Sequence, residues 1–405
     1  MYWNSIIKED KKKEIKNKIS ELVHIIEKED HENIGLLGGK PGLSILYFYY
    51  SKVFQIEKYS DLALNCISEI FEEIQNGFSY HTFAGGLAGI GWTVEFLEQN
   101  GFLDCDTNET LGELDEYLYQ MMIKEFKLAN YDYLHGASGI ALYFLSRKSF
   151  SKSKQYLSDY IDNIEQLSEA DGDIFKWFSM VDTGADEKEK VYNLSLSHGI
   201  SSLITILSKI YTLEIKKEKT FKLLNGAVNY LLSNEQDYKQ YGSYFPNWIS
   251  KQHSTGKSRL AWCYGDLGIS TALWHASQSL KNKTWEEKAI EVLLHTAKRM
   301  DLAKNSVNDA GLCHGSAGVA HIFNRMYNNT GMEEFNETAT YWYDQTLRMA
   351  MHKDSFSGYK AYRTKENGGW YEDFGFLEGI TGIGLTLMSA ISDIEPRWDE
   401  ILLLS

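Results

Sequence analysis

Proline is nearly missing from this sequence, with 3 residues in 405. Such a chain can run long helices without interruption, because a proline inside a helix removes a hydrogen bond and clashes with the preceding turn. Cysteine is scarce too. Its four residues have no regular spacing, which excludes a disulfide-stapled secreted scaffold and agrees with a reducing compartment, leaving Cys66 and Cys105 as plain thiols. No apolar run approaches the length that crosses a bilayer, so no transmembrane segment is expected. Residues 1–20 are lysine-rich and lack the apolar stretch of a secretory signal, which points to a cytoplasmic protein. Positive charge is also in deficit: 41 Lys and Arg stand against 56 Asp and Glu, a formal charge of −15. That balance excludes nucleic acid as a partner, since its binding rests on neutralising phosphates. The basic stretches at Lys11-Lys12-Lys13 and Lys216-Lys217-Glu218-Lys219 lie among acidic residues and read as solvated helix faces.

Glycine is what the chain has instead, 32 residues concentrated in one recurring phrase. The phrase is a Gly-x-x-Gly step followed by apolar residues, as in Gly136-Ala137-Ser138-Gly139-Ile140-Ala141-Leu142. Its first glycines are Gly39, Gly86, Gly136, Gly199, Gly265, Gly315 and Gly379, at intervals of 47, 50, 63, 66, 50 and 64 residues, with Ser202 replacing the second glycine of the fourth step. Each interval is wide enough for two helices and their connections. The segment after each step is apolar on most of its surface and predicts a buried helix. The segment before the next, such as Trp285–Leu294 with Thr284 as its expected N-cap, is amphipathic and predicts an outer helix. Residues 1–30 read as another amphipathic helix. Seven such pairs predict an all-α fold, an α/α toroid forming a single domain over residues 1–405, with the glycine turns at one rim. An open α-solenoid is the alternative that the repeats alone also allow. Two polar, aromatic-containing stretches, 171–193 and 236–258, are expected as small irregular or β-like insertions.

Two of the steps carry cysteine at the same offset: Cys263 two residues before Gly265, and Cys313 two residues before Gly315 with His314 between. Equivalent offsets in successive repeats fall on one rim, so Cys263, Cys313 and His314 can converge on one ion. Two thiolates and an imidazole suit a zinc dication and leave a fourth tetrahedral position open, the pattern of a catalytic site. Cys313 and His314 can share an ion only from a turn, as the following glycine suggests. Taken singly, either cysteine reads as a buried core thiol.

Trp262-Cys263-Tyr264-Gly265, Cys313-His314-Gly315 and Ser197-His198-Gly199, set among the seven steps, make the chain resemble the LanC-type lanthionine synthetases, the cyclases of lanthipeptide biosynthesis, over nearly its full length. The resemblance implies an α/α toroid and one Zn2+ held by Cys263, Cys313 and His314. It also implies addition of peptide cysteine thiols to dehydroalanine or dehydrobutyrine. It carries the family's Asp, His, Arg and Tyr onto Asp132, His198, Arg259 and Tyr264; His135, beside Gly136, receives no role. In that scheme His198 gives a proton to the enolate. Asp132 orients His198, and Arg259 either stabilises enolate charge or holds Asp132. Tyr264 is a wall or a further donor. The expected partners are a dehydrated precursor peptide and a separate dehydratase, since seven repeats consume the chain. Two other functions fit a thiol-activating metal: a zinc-dependent thiol prenyltransferase, and a LanC-like protein that binds glutathione or another thiol without cyclase activity.

Overall fold

Every glycine step stands at a helix start. The computed structural model describes residues 3–182, 188–252 and 254–405, and among these residues seven helices begin directly after the seven first glycines. They run Lys40–Phe54, Leu87–Gln99, Ala137–Ser146, Ile200–Thr212, Asp266–Leu280, Ser316–Thr330 and Ile380–Ile391. Ala137–Ser146 and Ile380–Ile391 are buried along their whole length, as an apolar surface on all sides requires. Amphipathic helices alternate with them: Glu9–Ile26, Lys58–Gln75, Gly112–Lys127, Ser153–Leu167, Lys217–Ser233, Lys283–Ala297 and Glu333–Arg348. Each buries one stripe, in Lys58–Gln75 made of Tyr59, Ala63, Ile67 and Ile70. The cap expected at Thr284 is instead Asn282, whose side chain accepts from the Trp285 amide at 3.2 Å. Its amide oxygen reaches the free N–H three residues on, so the helix begins a turn fraction earlier.

Contacts divide the chain into two compact units, residues 81–298 and residues 1–80 with 299–405. Within 81–298, helix Ile200–Thr212 packs against Asp266–Leu280 and Lys217–Ser233, and Ala137–Ser146 packs against Leu87–Gln99 and Gly112–Lys127. At the end of Ala137–Ser146 the fully buried Arg147 guanidinium meets Glu95 at 2.7 Å and Asp115 at 2.6 Å, which pairs the charges that burial would otherwise penalise. The stretches around 171–193 and 236–258 supply short antiparallel strands: Glu169–Asp171 with Ile174–Lys176, and Lys188–Asn193 between Ser179–Asp182 and Trp248–Ile249. Residues 183–187 and 253 of these stretches lie outside the described residues.

In the other unit, helix Glu9–Ile26 packs on Ile380–Ile391. Trp3 Nε1 donates to the Ser389 carbonyl at 2.9 Å, and the Ile6 amide donates to that of Ala390 at 3.1 Å. The first amphipathic helix of the chain is therefore the outer partner of the last buried one. A strand pair, Ala361–Tyr362 with Trp370–Tyr371, occupies the interval before Gly379, a third interruption that the polar composition of 349–378 did not set apart from an ordinary loop.

The turns entering the buried helices share one construction. Six residues before the first glycine, five of the seven repeats place Asn or Asp: Asn33, Asn130, Asn193, Asp309 and Asp373. In each, Oδ1 accepts from the amide two residues on, at 2.7, 3.2, 2.9, 3.1 and 2.7 Å respectively. The chain then doubles back onto this residue. A Cβ at Gly199 would lie 2.2 Å from the Asn193 carbonyl oxygen, so the close approach demands glycine. Gly265 differs, with φ +99, a conformation that side chains rarely adopt. Ser202 does not disturb its turn, since its hydroxyl folds back to the Gly199 carbonyl at 2.7 Å.

Candidate active site

In the 81–298 unit the turns before Gly136 and Gly199 bring Asp132 and His198 together. Asp132 Oδ2 lies 2.7 Å from His198 Nδ1, and Asp132 Oδ1 accepts from the His135 amide at 2.7 Å. The carboxylate is thus fixed at one oxygen and aims the other at the ring. His198 is also held through its backbone, donating to Ser195 Oγ at 3.0 Å. With Nδ1 engaged by a carboxylate, Nε2 is the ring atom left to exchange a proton with a substrate. Burial alone would lower the His198 pKa, but the Asp132 hydrogen bond and charge, together with the Cys263 sulfur, outweigh it and raise the value. The His135 ring stacks on that of His198 with centroids 5.9 Å apart.

The next turn adds Cys263 and Tyr264. Cys263 is buried, 6% exposed, and its carbonyl accepts from the amide of Leu196 at 3.1 Å, joining this turn to the one that carries His198. The Tyr264 ring lies 6.3 Å from the His198 ring, and Asn193 Nδ2 donates to its hydroxyl at 3.2 Å. Burial is the largest influence on that phenol and raises its pKa, so it stays a neutral donor at neutral pH. Arg259 holds the position that Asn or Asp fills in five other repeats; its carbonyl oxygen backs onto Gly265 and its side chain is half-buried. Asp132, His198, Tyr264 and Cys263 thus share one set of adjoining turns.

In the other unit, Cys313 and His314 lie in the turn before Gly315, not on a helix, and both are partly exposed. Leu312 N and Cys313 N donate to the Leu377 carbonyl at 2.9 and 3.0 Å, the same link between turns that Leu196 and Ser197 make with the Cys263 carbonyl. His314 Nε2 faces two acceptors at 3.3 Å, Asp309 Oδ2 and the Tyr362 carbonyl. The ring hydrogen therefore belongs on Nε2, which leaves the Nδ1 lone pair to a ligand such as a metal ion. Cys66 serves no comparable purpose: burial, and the nearby Glu69 charge, push its thiol up to about 11, far from a reactive thiolate.

Residues 8–403 match the family model described as lanthionine synthetase C-like protein. The chain belongs to that family. Among curated family relatives, nisin biosynthesis protein NisC of Lactococcus lactis subsp. lactis is 23% identical over 429 residues, covering 97% of this chain and 96% of that protein. A solved structure titled nisin cyclase matches with a TM-score of 0.75 at 19% identity, covering 98% of both chains. That likeness shows the fold, the all-α toroid class of the lanthionine synthetase C-like proteins that the repeated helix pairs predict. Neither Asp309 nor the strand pair that holds Tyr362 stood out in the sequence. The signal for Asp309 was present nonetheless, as the Asn or Asp six residues before successive glycines.

Proposed function

We propose that this protein is a zinc-dependent lanthipeptide cyclase that adds peptide cysteine thiols to dehydroalanine or dehydrobutyrine, forming lanthionine or methyllanthionine rings. The observation that carries the proposal is the Asp132–His198 pair, an oriented and proton-retaining imidazole beside the Cys263 turn, in a chain of this family. Cys263, Cys313 and His314 are the residues we assign to the zinc: two thiolates and an imidazole suit a zinc dication and leave one position open. The His314 tautomer fits that assignment. A zinc ion held there would supply a substrate cysteine as its thiolate at neutral pH.

The addition forms a carbon–sulfur bond at the β-carbon, breaks the carbon–carbon π bond, and leaves an enolate that takes a proton at the α-carbon. His198 Nε2 is the donor, with Asp132 holding the ring and favouring its charged form. Tyr264 keeps its hydroxyl proton and can donate to the developing oxyanion, and Arg259 supplies positive charge from the same turn. The proton that the thiol gives up to solvent when the thiolate forms balances the one that His198 takes back from solvent after delivering its own, so the cycle neither consumes nor releases acid. The substrate is a precursor peptide dehydrated beforehand by a separate enzyme. Among the described residues no helix is long and apolar enough to cross a membrane, which is compatible with a cytoplasmic site of action.

The test uses a dehydrated, cysteine-containing peptide, with free thiols counted by alkylation because cyclisation leaves mass unchanged. The parent should consume thiols, Cys263→Ala and Cys313→Ala should lose the metal as well as activity, and His198→Asn should keep the metal while slowing by roughly 10² to 10⁴. Thiol consumption by His198→Asn at the parental rate would overturn the assignment of the acid. Zinc held equally by parent and both cysteine variants would overturn the metal.

A further inference from the structure

We propose that Asp309 is a positioning residue for the zinc site, holding His314 in the tautomer and orientation that offer Nδ1 to the metal. This rests on the proposed assignment of His314 as a ligand. Asp309 is 3% exposed, a buried carboxylate with three duties: Oδ1 accepts from the Gly311 amide at 3.1 Å, while Oδ2 accepts from the Tyr362 amide at 2.9 Å and faces His314 Nε2 at 3.3 Å.

Comparison with the sister turns separates these duties. Oδ1 makes the turn hydrogen bond that Asn33, Asn130 and Asn193 make with an amide side chain. The turn therefore needs only one acceptor oxygen, and Asn meets it. The second atom differs. In Asn130 and Asn193 it is Nδ2, which donates to the His135 carbonyl at 3.2 Å and to the Tyr264 hydroxyl at 3.2 Å. In Asp309 it is an acceptor facing two donors, the Tyr362 amide and the His314 ring. An amide nitrogen there would set a donor against donors, leaving buried groups unmatched. Aspartate at 309 is thus required by what surrounds Oδ2, not by the turn.

A histidine fixed at one ring nitrogen by a carboxylate presents the other in a defined direction and with raised basicity, and loss of such a partner typically weakens metal binding by about 10- to 100-fold. The Tyr362 amide and carbonyl tie this arrangement to the strand pair Ala361–Tyr362 and Trp370–Tyr371.

The experiment measures zinc affinity of the full chain by competition with a chromophoric chelator, for the parent, Asp309→Asn, Asp373→Asn and His314→Ala. Asp373→Asn is the control, a change at the same position of a turn without a metal-type ligand. Asp309→Asn should bind zinc about 10- to 100-fold more weakly, with Asp373→Asn at the parental affinity. Parental affinity in Asp309→Asn, alongside loss in His314→Ala, would reduce Asp309 to a turn residue and leave the metal assignment standing. Parental affinity in His314→Ala would remove both. If Asp309→Asn does not fold, the zinc-loaded parent decides: nitrogen–proton correlations of the His314 ring should show the hydrogen on Nε2 and the metal on Nδ1, and the reverse overturns the proposal.

Discussion

Asp132 and His198 stand 66 residues apart in sequence, and their side chains meet at 2.7 Å. The contact reverses the effect of burial on the imidazole, whose pKa ends above its ordinary value. Its acid form therefore persists to higher pH than in a free histidine and is lost as pH rises through the raised value. Any stability the ion pair contributes follows the same sign, present below the ordinary histidine pKa and lost above the raised one. Asp132→Asn removes the charge and should move the alkaline limb of the pH–rate profile to lower pH. A limb that stays in place would show that another group sets it.

Packing around the second glycine of a step gives a stability prediction. A Cβ at Gly139 would stand 2.2 Å from the Tyr133 carbonyl oxygen and 2.5 Å from Phe83 Cβ, whereas one at Gly112 would meet nothing within 4 Å. Gly139→Ala should cost about 1–3 kcal/mol, the usual range for overpacking. Gly112→Ala should be neutral or slightly stabilising. Urea midpoints of the two variants, compared with the parent, measure the difference.

Arg147 supports a third. Replacing it with Met leaves Glu95 and Asp115 buried, 2% and 0% exposed, without their shared cation. We expect a loss of about 3–5 kcal/mol, the range seen when one partner of a buried ion pair is removed. Acidification should recover part of the loss in the variant, as the abandoned carboxylates take up protons. A denaturation midpoint that matches the parent at neutral pH would refute the claim.

How much of this was legible in advance follows from the period of the signal. The glycine steps repeat and precede long apolar runs, so each of the seven buried helices is marked in the sequence by its step. Cys263 and Cys313 share an offset within that repeat, with His314 beside the second, and the family resemblance singles out Asp132 and His198. Asp309 escaped notice because its role depends on an atom that the motif does not use. The strand pair at Ala361–Tyr362 escaped because two-residue strands have no periodicity to detect. The cap at Asn282 shows the same limit on a smaller scale, where neighbouring polar residues compete for one N–H and only geometry decides.

The packing of Glu9–Ile26 on Ile380–Ile391 has a consequence for biosynthesis. During translation Glu9–Ile26 is made long before Ile380–Ile391, so the packing of its apolar stripe of Ile15, Ile19, Leu22 and Ile26 on that helix can form only late. The intervening unit, residues 81–298, is continuous and can condense while synthesis proceeds. The chain thus completes its middle before its ends, and ribosome-bound fragments stopped short of Ile380 should be the ones that engage chaperones through their first helix.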